Sequence, residues 1–93
     1  MDNIQHDIIR VIGGKKYNTE TAALIASILS TGRGSHLYLT SKGAYFVAHS
    51  TIWQDERDSI EVLSPVEAQE LYAQYREEVD FEEAFPSVAV ELA

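Results

Sequence analysis

The chain lacks cysteine altogether and contains little proline, little tryptophan and few positive charges. Its 93 residues include 2 prolines, 1 tryptophan, and 7 lysines and arginines against 15 aspartates and glutamates. Without cysteine, the chain cannot form a disulfide scaffold, a cysteine-ligated zinc site or a thiol nucleophile. No apolar run approaches the roughly 18 residues of a membrane span. The N-terminal segment also lacks the basic and apolar regions of a signal peptide, so we expect a cytoplasmic protein.

The length and composition are those of one ordinary globular domain. Hydrophobic residues make up 45% of the chain and charged residues 24%, which argues against disorder. Ninety-three residues are enough for one hydrophobic core and too few for two. We therefore predict a single domain over residues 1–93.

Charge is divided unevenly between the two halves of the chain. Residues 1–50 carry 5 lysines and arginines and 3 acids, a net charge of +2, whereas residues 51–93 carry 2 against 12, a net charge of −10. Nucleic acid binding depends on neutralised phosphates, so this charge disfavours DNA or RNA as a direct ligand and favours a cationic protein partner. The alternative is that the acids only keep a small protein in solution.

The first half of the chain predicts a hairpin followed by a helix. Ile8–Ile12 is rich in β-branched residues, and Gly13-Gly14 suits a two-residue turn before a short return strand over 15–17. The segment Thr21–Leu29 combines helix formers with apolar residues at spacings of three and four, which predicts a buried core helix. The polar stretch Ser30–Ser35 is then expected to be a flexible loop.

The second half predicts three strands and an amphipathic helix. The strands are expected over 37–40, 44–51 and 60–63, because β-formers alternate there between turn residues. Ser64-Pro65-Val66-Glu67 has the N-cap, first-turn proline and third-position glutamate of a capping box. The predicted fold is α+β: a small antiparallel sheet, made of a hairpin and a three-stranded group, with one buried helix and one amphipathic acidic helix.

No pattern in the sequence indicates catalysis, a metal or a cofactor. The histidines His6, His36 and His49 share no short ligand spacing, although His36 and His49 would be neighbours if their strands pair. No serine has the glycine-flanked setting of a nucleophile elbow. We also expect no cavity of the roughly 300 Å³ that small-molecule sites require. These observations predict a protein that is not an enzyme and needs no cofactor.

The acids of the second half form the most concrete candidate site. At helical spacing, neighbouring carboxylates lie about 5 to 6 Å apart, comparable with the phosphates of a nucleic acid. Trp53 lies in the acidic connection before the last strand, where an exposed indole can anchor an interface; its alternative role is to close one end of the core. The predicted partner-binding residues are Trp53, Asp55, Glu56, Asp58, Glu67, Glu70, Glu77, Glu78, Asp80, Glu82 and Glu83.

Three motifs resemble a loose group of short proteins from bacteria, phages and mobile elements. They are Gly14–Ala22, Leu37–Phe46 and Leu63–Ala68, which match the patterns GKxYxTxTA, LYxTxxGxYF and LSxxEA. The chain departs from the group at Ala48–Thr51, where other members have a glycine-rich segment. The group carries no catalytic residues to transfer.

Some proteins of this mobile-element kind act as anti-CRISPR inhibitors. The resemblance and the charge together predict a non-catalytic acidic inhibitor that mimics nucleic acid at a basic site of a bacterial effector complex, with a Cas effector as the first candidate. The alternative is an accessory module that binds another host protein through Trp53 and exposed tyrosines. Neither hypothesis involves direct binding of nucleic acid or a membrane.

Overall fold

A computed structural model describes residues 8–52 and 57–88 of the chain. In chain order the elements are β1 (Ile9–Ile12), β2 (Lys15–Asn18), β3 (Ala23–Ser30), β4 (Arg33–Leu39), β5 (Tyr45–Thr51), β6 (Ser59–Leu63), α1 (Pro65–Gln74), β7 (Arg76–Glu77) and α2 (Phe81–Ala84). β1 and β2 form a separate hairpin, and the remaining strands form one antiparallel sheet in the order β6-β5-β4-β3-β7. The predicted α+β class is confirmed.

The five-stranded sheet is covered on both faces. Successive side chains of a strand point to opposite faces of the sheet. Leu37 and Val47 lie on the face that packs against α1 and α2. Tyr38 and Phe46 point to the other face, where they pack with Tyr17 of the β1–β2 hairpin. The molecule therefore has three layers: helices, sheet and hairpin.

The hairpin layer forms as its sequence predicts. Gly13 and Gly14 adopt φ angles of +58° and +77°, the left-handed values that a tight turn between Ile12 and Lys15 requires. The Thr19 side chain then accepts a 2.9 Å hydrogen bond from the Ile8 amide. This bond fastens the end of the hairpin.

The predicted core helix over 21–29 is wrong, because residues 23–30 form the strand β3, whose middle residues Ile25, Ala26 and Ser27 are buried. A short apolar run cannot be told from a buried helix by its pattern alone. A register shift between Leu24 and Ala26 also interrupts the alternation, since Ile25 and Ala26 both enter the core beneath the helices. That interruption produced the apparent helical spacing.

The expected flexible loop over 30–35 is also wrong. β3 and β4 pair as far as Ser30 and Arg33, so only Thr31 and Gly32 connect the two strands. Gly32 has a φ angle of +72°, which permits the tight reversal. The polar residues of this segment belong to a hairpin end rather than to a mobile connection.

The predicted amphipathic helix is confirmed as α1. The Ser64 side chain accepts a hydrogen bond from the Glu67 amide at 3.2 Å, and the Glu67 carboxylate accepts one from the Ser64 amide at 2.8 Å. Ala68 and Tyr72 are buried on its inner face. Within the described ranges, neither helix is long and apolar enough to cross a membrane.

The short helix α2 is held to the sheet by aromatic packing. The Phe85 ring, which is fully buried, stacks on Tyr45 at 5.0 Å between centroids and meets the edge of Tyr72 at 5.4 Å. The Tyr45 hydroxyl donates a 2.8 Å hydrogen bond to the carbonyl of Ala84. Phe81 packs against the same core cluster, which includes Phe85.

Candidate functional site

Seven of the predicted site residues lie on or between the consecutive elements α1, β7 and α2. We call this set the acidic layer. It consists of Glu67, Glu70, Glu77, Glu78, Asp80, Glu82 and Glu83, all exposed. Arg76 is the only lysine or arginine in residues 64–88, so this segment has a net charge of −6. Because α1, β7 and α2 follow one another directly in the chain, the fold keeps these charges on neighbouring elements.

The other predicted site residues do not join the acidic layer. Asp58 precedes β6, at the far edge of the sheet from β7, about four strand spacings or roughly 19 Å away. Its carboxylate accepts a 3.0 Å hydrogen bond from the Thr51 amide, which gives it a structural role. Trp53, Asp55 and Glu56 lie outside the described residues.

Two members of the acidic layer are engaged in hydrogen bonds that hold the fold. The bonds from the backbone and side chain of Ser64 lower the pKa of Glu67. Glu78 accepts a 2.6 Å hydrogen bond from the Ser27 hydroxyl. The candidate contact surface therefore rests mainly on Glu70, Glu82 and Glu83, together with Glu77 and Asp80.

The pKa of the Tyr72 hydroxyl is affected by burial and by charges of the acidic layer. Burial raises the pKa of Tyr72, and the nearby charges of Glu77 and Asp80 raise it further. The Tyr72 hydroxyl donates a 2.5 Å hydrogen bond to the carbonyl of Val79. Asp80 occupies the N-cap position of α2 but its side chain makes no capping hydrogen bond, so its carboxylate adds to the surface charge.

Apart from Arg76, the positive charges lie outside residues 64–88. The β1–β2 hairpin carries Arg10, Lys15 and Lys16, and the β4–β5 turn carries Lys42. Among residues 8–52 and 57–88, no lysine or arginine is ion-paired with a carboxylate of the acidic layer.

His36 and His49 are not the neighbours that pairing of their strands was expected to make them. Their strands pair, but His36 lies opposite Ala48 while His49 lies opposite Ser35, so the two rings point to opposite faces of the sheet. Burial lowers the pKa of His36, an effect that the charge of Glu78 partly opposes. The described residues contain no group of three or more histidine, aspartate or glutamate side chains that could hold a metal ion.

The structure joins a serine, a histidine and a glutamate that sequence spacing did not connect. The Ser35 hydroxyl lies 2.7 Å from Nδ1 of His49, and Nε2 of His49 lies 3.5 Å from the Glu61 carboxylate. The side chains of His49 and Glu61 are 40% and 64% exposed. In hydrolases of the serine–histidine–acid type the acid is buried and orients the imidazole. Here water screens the carboxylate, so we interpret the arrangement as a cross-strand hydrogen-bond network.

Two further expectations about the surface are wrong. The structure contains cavities of about 510, 390 and 420 Å³, so the chain is large enough to form pockets between its hairpin turns. One of them is lined by His49, Ser35 and the two arginines Arg33 and Arg57. The tyrosines, in contrast, are not exposed: Tyr75 is half-buried and the other four are buried, which removes them from the alternative interface.

No family model, no curated protein and no solved structure matches this chain.

Proposed function

We propose that this protein is a non-catalytic inhibitor that binds a basic nucleic-acid-binding site of a bacterial effector complex through the acidic layer. A Cas effector is the first candidate partner, and the proposed setting is the bacterial cytoplasm, with a phage or mobile element as the source of the gene. The resemblance of the hairpin and cap motifs to short mobile-element proteins supports this choice. The proposal requires neither a cofactor nor direct contact with nucleic acid.

The observation that carries the proposal is the separation of charge between the layers. Seven exposed carboxylates lie on or between the consecutive elements α1, β7 and α2, with Arg76 as the only basic residue of residues 64–88. Lys15 and Lys16 lie on the β1–β2 hairpin, which packs on the opposite face of the sheet from the helices, and Lys42 lies in the β4–β5 turn. A surface of one sign can steer association with a surface of the opposite sign.

The negative charge of the acidic layer should affect both the rate of association with a basic site and the competition with nucleic acid for that site. A site that holds nucleic acid presents lysines and arginines placed to neutralise phosphates. Carboxylates at comparable spacing can occupy the same positions, and their association with the site should be fast and sensitive to salt. Competition with the nucleic acid follows from shared occupancy of one groove.

Charge reversal in two places tests the proposal. The variant Glu70→Lys/Glu83→Lys changes one exposed acid on each helix, and it spares Glu67 and Glu78, whose hydrogen bonds hold the fold. The matched control Glu20→Lys/Glu61→Lys makes the same change in net charge outside the acidic layer, at two further exposed acids. Each protein is assayed for inhibition of target-DNA binding by purified Cas effector complexes at several salt concentrations.

We expect the wild-type protein and the control to inhibit similarly, and inhibition to weaken as salt rises. The reversed variant should lose at least about tenfold in potency, since two attractive contacts become repulsive. Circular dichroism and chemical denaturation check that both variants remain folded. Equal loss in both variants would show that only net charge matters and would remove the acidic layer as the binding surface. No inhibition by the wild-type protein of any complex would reject this class of partner.

A further inference from the structure

The lysines of the chain line one cavity beside the β1–β2 hairpin. The cavity has a volume of about 510 Å³ and lies between β2 and the turn that joins β4 to β5. Its lining includes Lys15, Lys16 and Lys42, the only lysines in the sequence, and, within residues 8–52 and 57–88, no acidic residue. The protein has a net charge of −8, so this cavity is a local region of positive charge in an acidic molecule.

The rest of the lining supplies hydrogen-bond donors. The Thr40 hydroxyl accepts hydrogen bonds from the amides of Lys42 and Ala44, at 3.3 and 3.0 Å, so its own proton is left to donate. The Asn18 side-chain oxygen accepts from the Glu20 amide, which directs its NH₂ group to other partners. Ser41 adds an exposed hydroxyl. Ammonium, amide and hydroxyl donors together suit an anion with several oxygens.

Both walls of the cavity are fixed by the fold. On one side Tyr17 is buried against the sheet, which anchors β2. On the other, the Thr40 amide donates to the Ala44 carbonyl at 2.8 Å, and the Gly43 amide donates to the Thr40 carbonyl at 3.0 Å. Gly43 has a φ angle of +85° with open space around it, so this glycine is required by the turn and not by packing. A ligand would meet a site whose backbone is already in place.

We propose that this cavity binds a small molecule that carries two or more phosphate groups. The volume lies within the roughly 300 to 1,000 Å³ of small-molecule sites, and lysine ammonium groups are common phosphate ligands. Strand alternation places Lys15 on the side of buried Tyr17 and Lys16 on the opposite side, so Lys15 and Lys42 are the principal phosphate ligands. The site is independent of the acidic layer and uses none of its residues.

Calorimetric titration with inorganic pyrophosphate and with a nucleoside diphosphate tests the proposal. The site variant is Lys15→Gln/Lys42→Gln. The control Arg57→Gln/Arg76→Gln removes the same number of positive charges at two exposed positions outside the cavity. Amide chemical shifts at residues 15–18 and 40–44 provide a second readout that locates the bound anion.

We expect saturable binding of both probes to the wild-type protein, with shift changes confined to these two segments. Affinity should fall at least about tenfold in the lysine variant and less than about threefold in the arginine control. Binding that is absent below about 10 mM, or equal losses in both variants, would overturn the proposal. Much tighter binding of a single-stranded oligonucleotide than of either probe would also overturn it, because the ligand would then be a nucleic acid and not a small molecule.

Discussion

The Ser27 hydroxyl donates a 2.6 Å hydrogen bond to the Glu78 carboxylate, across 51 positions of sequence. Beside it, the Glu78 amide donates to the Ile25 carbonyl at 3.0 Å, and Ala26 pairs with Glu77 in the sheet. These three contacts hold the two-residue strand β7 against the edge of β3. They therefore fix the position of the acidic layer relative to the sheet.

Replacing Ser27 with alanine should destabilise the protein by about 1 to 2 kcal/mol, because the hydroxyl is buried and bonds to a charged acceptor. Chemical denaturation measures the change in the free energy of unfolding. The control Ser30→Ala lies in the same strand at an exposed position and should change that free energy by less than about 0.5 kcal/mol. Equal effects of the two substitutions would mean that the Ser27–Glu78 bond contributes nothing to stability.

The capping box at the start of α1 gives a second stability prediction. Ser64→Ala removes both the hydroxyl that accepts from the Glu67 amide and the reciprocal geometry of the box, and it should cost about 1 kcal/mol. The exposed Ser59 of β6 provides the control substitution Ser59→Ala. Thermal and denaturant unfolding of the two variants should separate clearly. A Ser64 variant as stable as the Ser59 control would contradict the prediction.

His36 should make stability depend on pH on the acidic side of neutrality. Burial lowers the pKa of His36 in the folded state, so the unfolded chain takes up a proton first as the pH falls below 6.5. The unfolded state then binds more protons, and the free energy of unfolding decreases with falling pH, by at most about 1.4 kcal/mol per pH unit for one proton. Above pH 6.5 the contribution is fully present.

Urea unfolding at several pH values between about 7.5 and 5.5 measures this slope. His36→Gln should flatten it, because the group that titrates is removed. His49→Gln changes a half-exposed histidine on the opposite face of the sheet and serves as the matched control. The same slope in wild-type protein and His36→Gln would show that other groups cause the dependence.

The features that the sequence predicts correctly are those determined by near neighbours in the chain. Gly13-Gly14 and Ser64-Pro65-Val66-Glu67 act through turn geometry and capping bonds within four residues, and both form as expected. The helix predicted over 21–29 is wrong because the secondary structure of this segment depends on the strands that pair with it. As a free segment it has helical spacing, but β4 and β7 pair with it on both edges and make it a strand.

The candidate site also has features that follow from the local sequence and features that depend on the topology. The clustering of acids on α1 and α2 follows from their order in the chain, and it could be predicted. The placement of Asp58 at the opposite edge depends on strand order, which local patterns do not contain. The lysine cavity depends on how the separate β1–β2 hairpin packs on the sheet, which brings Lys15 and Lys16 close to Ser41 and Lys42. The sequence shows that the lysines occur in two separate segments, but only the topology shows that these segments lie close together.

The Ser35–His49 contact leads to a prediction about reactivity. Nucleophilic catalysis needs an imidazole oriented by a buried acid, whereas Glu61 is 64% exposed and lies 3.5 Å from the ring. We therefore expect no covalent adduct at Ser35 when the protein is incubated with a fluorophosphonate and examined by intact mass spectrometry. Ser35→Ala should cost about 0.5 to 1.5 kcal/mol through loss of the 2.7 Å hydrogen bond. An adduct that forms in the wild-type protein and disappears in both Ser35→Ala and His49→Gln would instead identify these residues as a catalytic pair, and the protein would be an enzyme.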